Sequence, residues 1–293
     1  MRGSSSTENV GKRHSRFAAA RVLICLSSMV FVNRSDAVLE ETVCGWFKER
    51  AAFYGWSRAA GRANPNAWKA IAGAQPVSHK TQDGRILRGY KISGEFRDTS
   101  RAAPGFMLFA QGNAMLADQL LDILKSFATS DIDVFAYDYR GYGSSEGKPR
   151  LKAIVSDYQE IFYALQRVYS GRKHLYGVSF GGIVLLNVIG RGADFDRAVI
   201  DSTPSRVSVF GCPKEYDPVL NLPDDGAKLL FIAGNKDTIV TVADQNELLS
   251  TAKSRGGRVV IGNEFAHPFV DSHEAVRLKR VNIIKDFLLE IGP

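Results

Sequence analysis

From residue 76 onward, short apolar segments alternate with longer amphipathic ones. Two segments of alternating polarity over 77–92, separated by the turn pair Asp83-Gly84, predict a β-hairpin. The pattern then predicts further strands at 106–110, 132–137, 173–178, 198–201, 228–233 and 258–261. It predicts helices at 114–128, 154–169, 182–189, 242–252 and 275–291. Because short apolar strands alternate with helices, we expect an α/β fold with a mostly parallel sheet flanked by helices.

Residues 38–72 precede this pattern and have helical character. Large apolar side chains recur there at spacings near three, four and seven, which predicts one broad helical face containing Val43, Trp46, Phe47, Phe53 and Tyr54. Asn64-Pro65-Asn66 ends this helix, and 67–72 forms a short second one. An aromatic face of this kind is found on lids, on membrane-facing elements and on helices packed against a main domain. We favour the packed helix.

The composition is that of an ordinary globular protein, because 45% of the 293 residues are hydrophobic, which is enough for one large domain. The formal net charge of +7 raises the question of nucleic-acid binding. Residues 1–37, however, carry six basic and two acidic side chains, a net of +4, which leaves only about +3 for 38–293. This distribution provides no basic stripe along a domain surface, so we predict no nucleic-acid partner.

The first 37 residues have the pattern of an export signal. Basic residues within 12–21 lead into an apolar run of 11 residues at 22–32, a length typical of a signal-peptide core and short for a membrane span. Small residues at Ser35 and Ala37 predict cleavage after Ala37 and export to the periplasm or medium. The alternatives are a membrane anchor at 22–32, a disordered cytosolic tail, and a start site assigned too far upstream. The chain thus divides into a leader (1–37), a helical extension (38–72) and a main domain (73–293).

Two cysteines, Cys44 and Cys212, remain once the leader is removed. An oxidising compartment would permit a disulfide between them, and two buried free thiols are the alternative. Neither cysteine has metal-ligand spacing, and no glycine-rich loop of the nucleotide-binding type is present. We therefore predict no metal and no cofactor.

The segment Gly177-Val178-Ser179-Phe180-Gly181 fits the pattern Gly-x-Ser-x-Gly between a predicted strand and a predicted helix. A serine at such a turn is exposed at the top of the sheet, close to the positive end of the helix. Glycines flank it because a β-carbon would collide with the neighbouring strand and helix. A plain strand-to-helix turn is the alternative. The pattern makes Ser179 the candidate nucleophile.

A serine nucleophile needs a base, and the base needs an acid that orients it. His267 lies in the loop after the last predicted strand and is favoured over His273, which lies near the start of the final helix. Asp237 follows the penultimate strand in the tight turn Gly234-x-x-Asp237 and is favoured over Asp201, which ends the preceding strand. The order Ser, Asp, His is the one expected on a sheet of this kind.

An oxyanion would need two backbone N–H donors. One is the amide of Phe180, directly after the candidate nucleophile. The loop after the strand at 106–110 offers the second, and Gly112 lets it turn an amide inward. We assign this donor to Asn113, with Ala114 as the alternative.

Taken together, these segments resemble the α/β-hydrolase superfamily. The resemblance rests on 111–114, 138–147, the Ser179 turn, and Asp237 with His267; these occur in family order, and the similarity covers roughly 76–291. The Asp-Tyr-Arg-Gly-x-Gly-x-Ser loop is most similar to a branch of small serine hydrolases that includes protein depalmitoylases and related esterases. That branch usually has His before Gly-Asn-Ala, whereas this chain has Gln111, whose side chain can still hydrogen-bond to the loop backbone. In the 138–147 loop we expect the glycines to shape the turn and Arg140 to pair with Asp138.

The segment between Asp201 and Asp237 is rich in proline and has the appearance of a loop, so we expect little or no cap domain. An open site suits esters or thioesters of bulky carriers. The leading hypothesis is a serine hydrolase that cleaves carboxylic esters or thioesters of a small-molecule or acylated substrate through an acyl-enzyme. A peptidase or amidase on the same triad and a non-catalytic binding protein of the same fold are the alternatives. A further alternative is a scaffold protein anchored in a membrane through residues 22–32. The sequence does not indicate the oligomeric state.

Overall fold

The computed structural model describes residues 39–94, 103–270 and 273–289. The predicted leader at 1–37, with its apolar run at 22–32 and its cleavage site at Ala37, lies outside these residues. Within the described ranges, no helix is both long and apolar enough to cross a membrane.

Within the described residues, eight strands form one sheet: β1 (Ala74–Lys80), β2 (Ile86–Ile92), β3 (Gly105–Ala110), β4 (Ile132–Tyr137), β5 (Lys173–Val178), β6 (Arg197–Asp201), β7 (Leu229–Gly234) and β8 (Arg258–Gly262). Their spatial order is β1-β2-β4-β3-β5-β6-β7-β8. β2 pairs with β1 and with β4 in antiparallel fashion, and all other neighbours are parallel. The predicted hairpin and the mostly parallel sheet are confirmed.

The described α-helices are α1 (Trp46–Ala59), α2 (Leu121–Lys125), α3 (Leu151–Val168), α4 (Phe180–Gly190), α5 (Val242–Ser254) and α6 (Glu274–Leu289). They cover both faces of the sheet, as predicted. Alternate residues of β3 point to opposite sides: Phe106 and Leu108 join the core under α3, α4 and α5, while Met107 and Phe109 join the core under α2 and α6. Because both faces are covered, the central strands are buried along their whole length.

The segment between β6 and β7 contains only three short 3₁₀-helices: Ser208–Phe210, Lys214–Tyr216 and Pro218–Asn221. Every residue of this segment is described, so the prediction of little or no cap domain is confirmed. The carboxyl ends of β5 to β8 lie within two residues of one another, because Val178 pairs with Asp201, Asp201 with Ile232, and Gly234 with Gly262. The loops that follow these strands therefore meet at one edge of the sheet.

The helix predicted at 114–128 is wrong in its extent. The chain instead forms a 3₁₀-helix at Ala117–Leu120 and then the short α2. The Ala117 amide donates to the Asp138 carboxylate at 2.8 Å, and the Leu116 amide donates to the Gln119 side chain at 3.1 Å. These side chains satisfy the amides at the start of the segment, so the preceding residues stay in the loop.

The first helix packs on the main domain, as expected, but most of its predicted aromatic face does not take part in the packing. Phe53 is buried against the domain, whereas Trp46, Phe47 and Tyr54 are exposed. The residues that pack inward are Glu49, Phe53 and Trp56, which follow one another at spacings of four and three. The 3₁₀-helix Ala67–Ala70 follows, in agreement with the short second helix that the sequence predicts.

The predicted pairing of Arg140 with Asp138 is wrong. Its guanidinium is fully buried and forms hydrogen bonds with Asp157 on α3, at 3.0 Å and 2.5 Å, and with Asp83 in the hairpin turn. Burial raises the pKa of Asp157 to about 6, while its contact with Arg140 acts in the opposite direction. Arg140 thus fastens the hairpin to α3 and has a structural role.

Candidate active site

Ser179 lies at the turn between β5 and α4, with backbone angles of φ 53° and ψ −116°. A positive φ is unfavourable for a residue with a β-carbon and requires support from its surroundings. The Ser179 amide donates to the Asp201 carbonyl at 2.8 Å, and the Thr203 hydroxyl donates to the Ser179 carbonyl at 3.1 Å. The end of β6 and the residues after it therefore hold the strained turn from both sides.

Glycines surround this turn because the backbones come too close for side chains. A β-carbon at Gly177 would stand 2.7 Å from the Gly181 carbonyl oxygen. A β-carbon at Gly181 would collide with the Ala110 carbonyl, and one at Gly182 would collide with Thr203. The Gly-x-Ser-x-Gly pattern therefore reflects the packing of α4 against the ends of β3 and β5.

Asp237 and His267 are in direct contact. His267 Nδ1 lies 2.9 Å from Asp237 Oδ2, and both side chains come from loops at the edge of the sheet that also carries Ser179. The other carboxylate oxygen, Oδ1, accepts hydrogen bonds from the amides of Ile239 and Val240, each at 2.9 Å. The tight turn after β7 thus fixes the carboxylate, and the carboxylate fixes the imidazole.

The electrostatics favour an ionised Asp237. Burial alone would raise its pKa, but the hydrogen bonds with His267 and with the Val240 and Ile239 amides outweigh it, so the pKa lies below its usual value. Because an ionised carboxylate can only accept hydrogen bonds, His267 Nδ1 must carry the proton it donates. The Nε2 atom of a neutral His267 is then free of a proton and can act as a base.

The two rival residues have other surroundings. Asp201 is fully buried, lies 3.7 Å from the Arg280 guanidinium, and has a pKa that burial raises to about 6, against the opposing effects of Arg280 and His267. His273 is exposed, directly before α6 begins at Glu274. The structure thus brings Asp237, and not Asp201, into hydrogen-bond contact with His267.

The loop after β3 lies directly against Ser179. A β-carbon at Gly112 would stand 4.0 Å from the Ser179 β-carbon, which is ordinary contact. Asn113, the next residue, lines the same cavity as Ser179 and Phe180. Phe180 is the first residue of α4, so its amide belongs to the unpaired amides at the helix start.

Gln111 holds this loop in place through hydrogen bonds of its side chain and its backbone carbonyl. Its side chain is fully buried, donates from Nε2 to the Tyr137 carbonyl at 2.9 Å, and accepts from the Tyr158 hydroxyl at 3.4 Å. Its carbonyl accepts from the Tyr139 hydroxyl at 2.5 Å. The glutamine therefore ties the loop to the end of β4 and to α3. The Gln111 side chain thus donates to the backbone of β4, and not to the backbone of its own loop as predicted.

A cavity of about 900 Å³ opens beside Ser179. Its walls are mostly apolar and include Phe53, Trp56, Phe180, Ile183, Val207 and Val240. Ile239 and Val240, whose amides hold Asp237, also line it. The cavity is therefore continuous with the loop that carries the carboxylate. A mostly apolar cavity of this size with a few polar groups is typical of a small-molecule site.

Helix α1 contributes to the wall of this cavity. Phe53 and Trp56 pack against Phe180 with ring centroids 5.6 Å and 6.2 Å apart. A disulfide between Cys44 and Cys212 joins the start of α1 to the 205–223 segment, and both cysteines line the cavity. Of the two states that the sequence leaves open for these cysteines, the structure has the disulfide.

In the part of the chain that the structure describes, no group of three or more His, Cys, Asp or Glu side chains is arranged to hold a metal ion.

Comparison with known proteins relates this arrangement to a family. Residues 102–209 match a family model described as "Serine aminopeptidase, S33". The chain is 32% identical to the "Uncharacterized protein YfhR" of Escherichia coli strain K12 over 251 residues, which cover 77% of this chain and 82% of that protein. It is also 32% identical to the "Alpha/beta hydrolase domain-containing protein 17B" of Xenopus tropicalis over 111 residues, 36% of this chain and 38% of that protein.

Among solved structures, the chain is similar to the esterase Pf2001 of Pyrococcus furiosus. The TM-score is 0.60 at 18% sequence identity, and the match covers 79% of this chain and 96% of that one. At this identity the likeness concerns the fold alone. The similar fold and the hydrolase relatives are both consistent with a Gly-x-Ser-x-Gly turn at Ser179.

Proposed function

Because this chain belongs to the α/β-hydrolase superfamily, we propose that it is a serine hydrolase that cleaves carboxylic esters or thioesters through an acyl-enzyme intermediate. The observation that carries the proposal is the Asp237–His267 pair, at 2.9 Å, on the sheet edge where Ser179 occupies a strained turn. Strain of this kind persists where it serves a function.

In the proposed reaction, Ser179 Oγ attacks the carbonyl carbon while His267 Nε2 takes the hydroxyl proton. Asp237 keeps the proton on Nδ1 and stabilises the imidazolium that forms. The Phe180 and Asn113 amides stabilise the oxyanion. His267 then gives the proton to the leaving alcohol or thiol. Water repeats the sequence on the acyl-enzyme, releases the carboxylic acid and restores Ser179.

The character of the cavity supports an acyl substrate. Its volume of about 900 Å³ and its aromatic and aliphatic walls suit a hydrocarbon group of considerable size. The fold also lacks a cap domain between β6 and β7, which leaves access for a substrate carried on a larger molecule.

A peptidase is the second candidate, because the matching family model is described as a serine aminopeptidase. An aminopeptidase needs a carboxylate to receive the free α-ammonium of its substrate. Three acidic side chains line the cavity, but all are engaged elsewhere. Glu49 accepts from the Cys44 and Leu151 amides, Asp244 caps α5, and Glu247 pairs with Arg206. This engagement favours the ester or thioester.

We also propose that the protein works in an oxidising compartment, as the predicted export signal implies. The Cys44–Cys212 disulfide supports this proposal, because such bonds form and persist outside the reducing cytosol.

Fluorophosphonate labelling of the full chain, beside Ser179→Ala, tests the nucleophile. We expect labelling of the parent protein and none of the variant. p-Nitrophenyl esters of increasing acyl length, alanine p-nitroanilide and an acyl thioester then separate esterase, aminopeptidase and thioesterase activity. A folded parent protein that neither labels nor hydrolyses any of them would contradict the proposal and favour a non-catalytic binding protein.

A further inference from the structure

Helix α1 has two faces of different character. Glu49 and Phe53 on its inner face are buried, and Trp56 lines the cavity beside them. On its outer face, Trp46 is 66% exposed, Phe47 73% and Tyr54 64%. Three large aromatic side chains exposed on one short helix are unusual for a protein surface that faces water.

Basic residues alternate with these aromatic ones. Trp46, Arg50, Tyr54 and Arg58 recur at every fourth position and therefore form one stripe along the helix. The Arg50 guanidinium lies 4.5 Å from the Trp46 ring centroid, and that of Arg58 lies 5.3 Å from the Tyr54 centroid. The exposed charged side chains of α1 are all basic, because its one acidic residue, Glu49, is buried.

A second exposed apolar element adjoins the start of α1. Val209 is 72% exposed and Phe210 65%, in the segment that the disulfide joins to Cys44. Both residues line the cavity at the same time. The exposed apolar side chains therefore lie on two adjoining elements, α1 and the 208–210 segment, each of which also contributes residues to the cavity wall. We call Trp46, Phe47, Tyr54, Val209 and Phe210 the aromatic rim.

We propose that the aromatic rim docks on the surface of an anionic lipid bilayer. Aromatic side chains favour the bilayer interface, and exposed arginines on the same helix are attracted to anionic headgroups. Charge complementarity thus selects a negatively charged membrane. Docking would bring α1, which also lines the cavity, to the source of acyl chains; this last step rests on the proposed function, whereas the docking itself does not.

Flotation with large unilamellar vesicles tests the docking. The full chain is used throughout, so that residues 22–32 are common to every protein. We expect binding to POPC/POPG 70:30 vesicles to exceed binding to POPC vesicles and to weaken as salt increases. Trp46→Ser with Phe47→Ser should weaken the partition about tenfold or more, because two aromatic side chains no longer enter the interface. Arg50→Gln with Arg58→Gln should remove most of the preference for POPG.

Exposed apolar residues elsewhere provide the matched control. Val168 ends α3, which returns to the opposite edge of the sheet, and Leu278 lies on α6 over the other face. Val168→Ser with Leu278→Ser also replaces two exposed apolar side chains and should leave the partition unchanged. Equal partition of the parent and the Trp46/Phe47 variant would overturn the proposal, even if both bind through residues 22–32. Failure of the parent to bind POPG vesicles would overturn it too.

Activity distinguishes this proposal from the proposed function. The Trp46/Phe47 variant should hydrolyse soluble p-nitrophenyl butyrate at the parental rate, since neither residue lines the cavity. Its rate on p-nitrophenyl palmitate held in POPC/POPG vesicles should fall about tenfold, in parallel with binding. An equal rate on the vesicle substrate would refute substrate delivery by the rim. If no protein hydrolyses either ester, the esterase activity fails, and flotation still decides the docking.

Discussion

Asp237→Asn separates geometry from charge at the candidate site, because the surrounding amides dictate how the new side chain must point. In the parent, Asp237 Oδ1 accepts two backbone hydrogen bonds, from Ile239 and Val240, and Oδ2 faces His267 Nδ1. An asparagine has one acceptor oxygen and one donor nitrogen. Its oxygen must occupy the Oδ1 position, because a nitrogen there would face two N–H donors. The NH₂ group is then directed at His267.

The consequence is a change of tautomer. An NH₂ donor at 2.9 Å requires Nδ1 to accept, so the proton of a neutral His267 moves to Nε2, which can then no longer take the Ser179 proton. Reversing the amide would lose two hydrogen bonds of about 1 kcal/mol each and create a donor–donor clash. An advantage of roughly 2–3 kcal/mol leaves the reactive tautomer at a few per cent or less. Loss of the negative charge beside the imidazolium adds to this, so we expect kcat to fall about 10³- to 10⁴-fold.

The assay is steady-state hydrolysis of a soluble p-nitrophenyl ester, with circular dichroism and thermal unfolding to verify the fold. Asp201→Asn is the matched control, since it makes the same change at the rival carboxylate, which has no hydrogen bond to His267. We expect the control to keep kcat within about tenfold of the parent. Residual activity of Asp237→Asn above one tenth of the parent, or a larger loss in Asp201→Asn, would refute the assignment of the acid.

Two further predictions concern stability. The Cys44–Cys212 disulfide spans 168 residues, and loop-closure entropy limits its contribution to the free energy of unfolding to about 5 kcal/mol. Urea unfolding with and without reductant should reveal that reduction lowers this free energy by about 3–5 kcal/mol. A decrease below about 1 kcal/mol would contradict the prediction. Burial raises the pKa of Asp138 from 3.8 to about 7, opposed by the Ala117 amide, so the unfolded chain releases this proton first and stability falls as pH rises between these values. Asp138→Asn retains the acceptor and cannot ionise, so at pH 8 its free energy of unfolding should exceed that of the parent by about 4 kcal/mol at most. The variant should therefore unfold at a higher temperature than the parent at pH 8, and the difference should vanish near pH 4.

Strand positions follow from the sequence almost residue by residue. β4 and β5 match their predicted ranges, and the other strands of the parallel part differ by a residue at one or both ends. Buried parallel strands are continuous apolar runs, and the glycines and charged residues that bound them are local signals. The sheet edge that carries Ser179, Asp237 and His267 is predictable for the same reason, because each residue follows a strand end.

The errors share a different cause. The Asp138 carboxylate accepts a hydrogen bond from the Ala117 amide, 21 residues away in the sequence. Arg140 binds Asp83, 57 residues away. Neither partner is implied by local periodicity, because both contacts depend on how distant elements pack. The faces of α1 are likewise decided by Phe180 and by the disulfide. A residue pattern states which side chains can be buried, while the tertiary packing decides which of them are.

The way α1 is held makes it part of the candidate site. The Glu49 carboxylate accepts from the Val43 and Cys44 amides ahead of α1 and, at 2.9 Å, from the Leu151 amide at the start of α3. The disulfide fixes the same end to the 205–223 segment, and Phe53 packs on Phe180. Phe180 follows Ser179 directly and supplies a proposed oxyanion donor. A displacement of α1 would therefore change the cavity wall and loosen the packing beside the nucleophile together. For this reason, the main domain at 73–293 alone should bind an acyl group less well than the chain that includes 38–72.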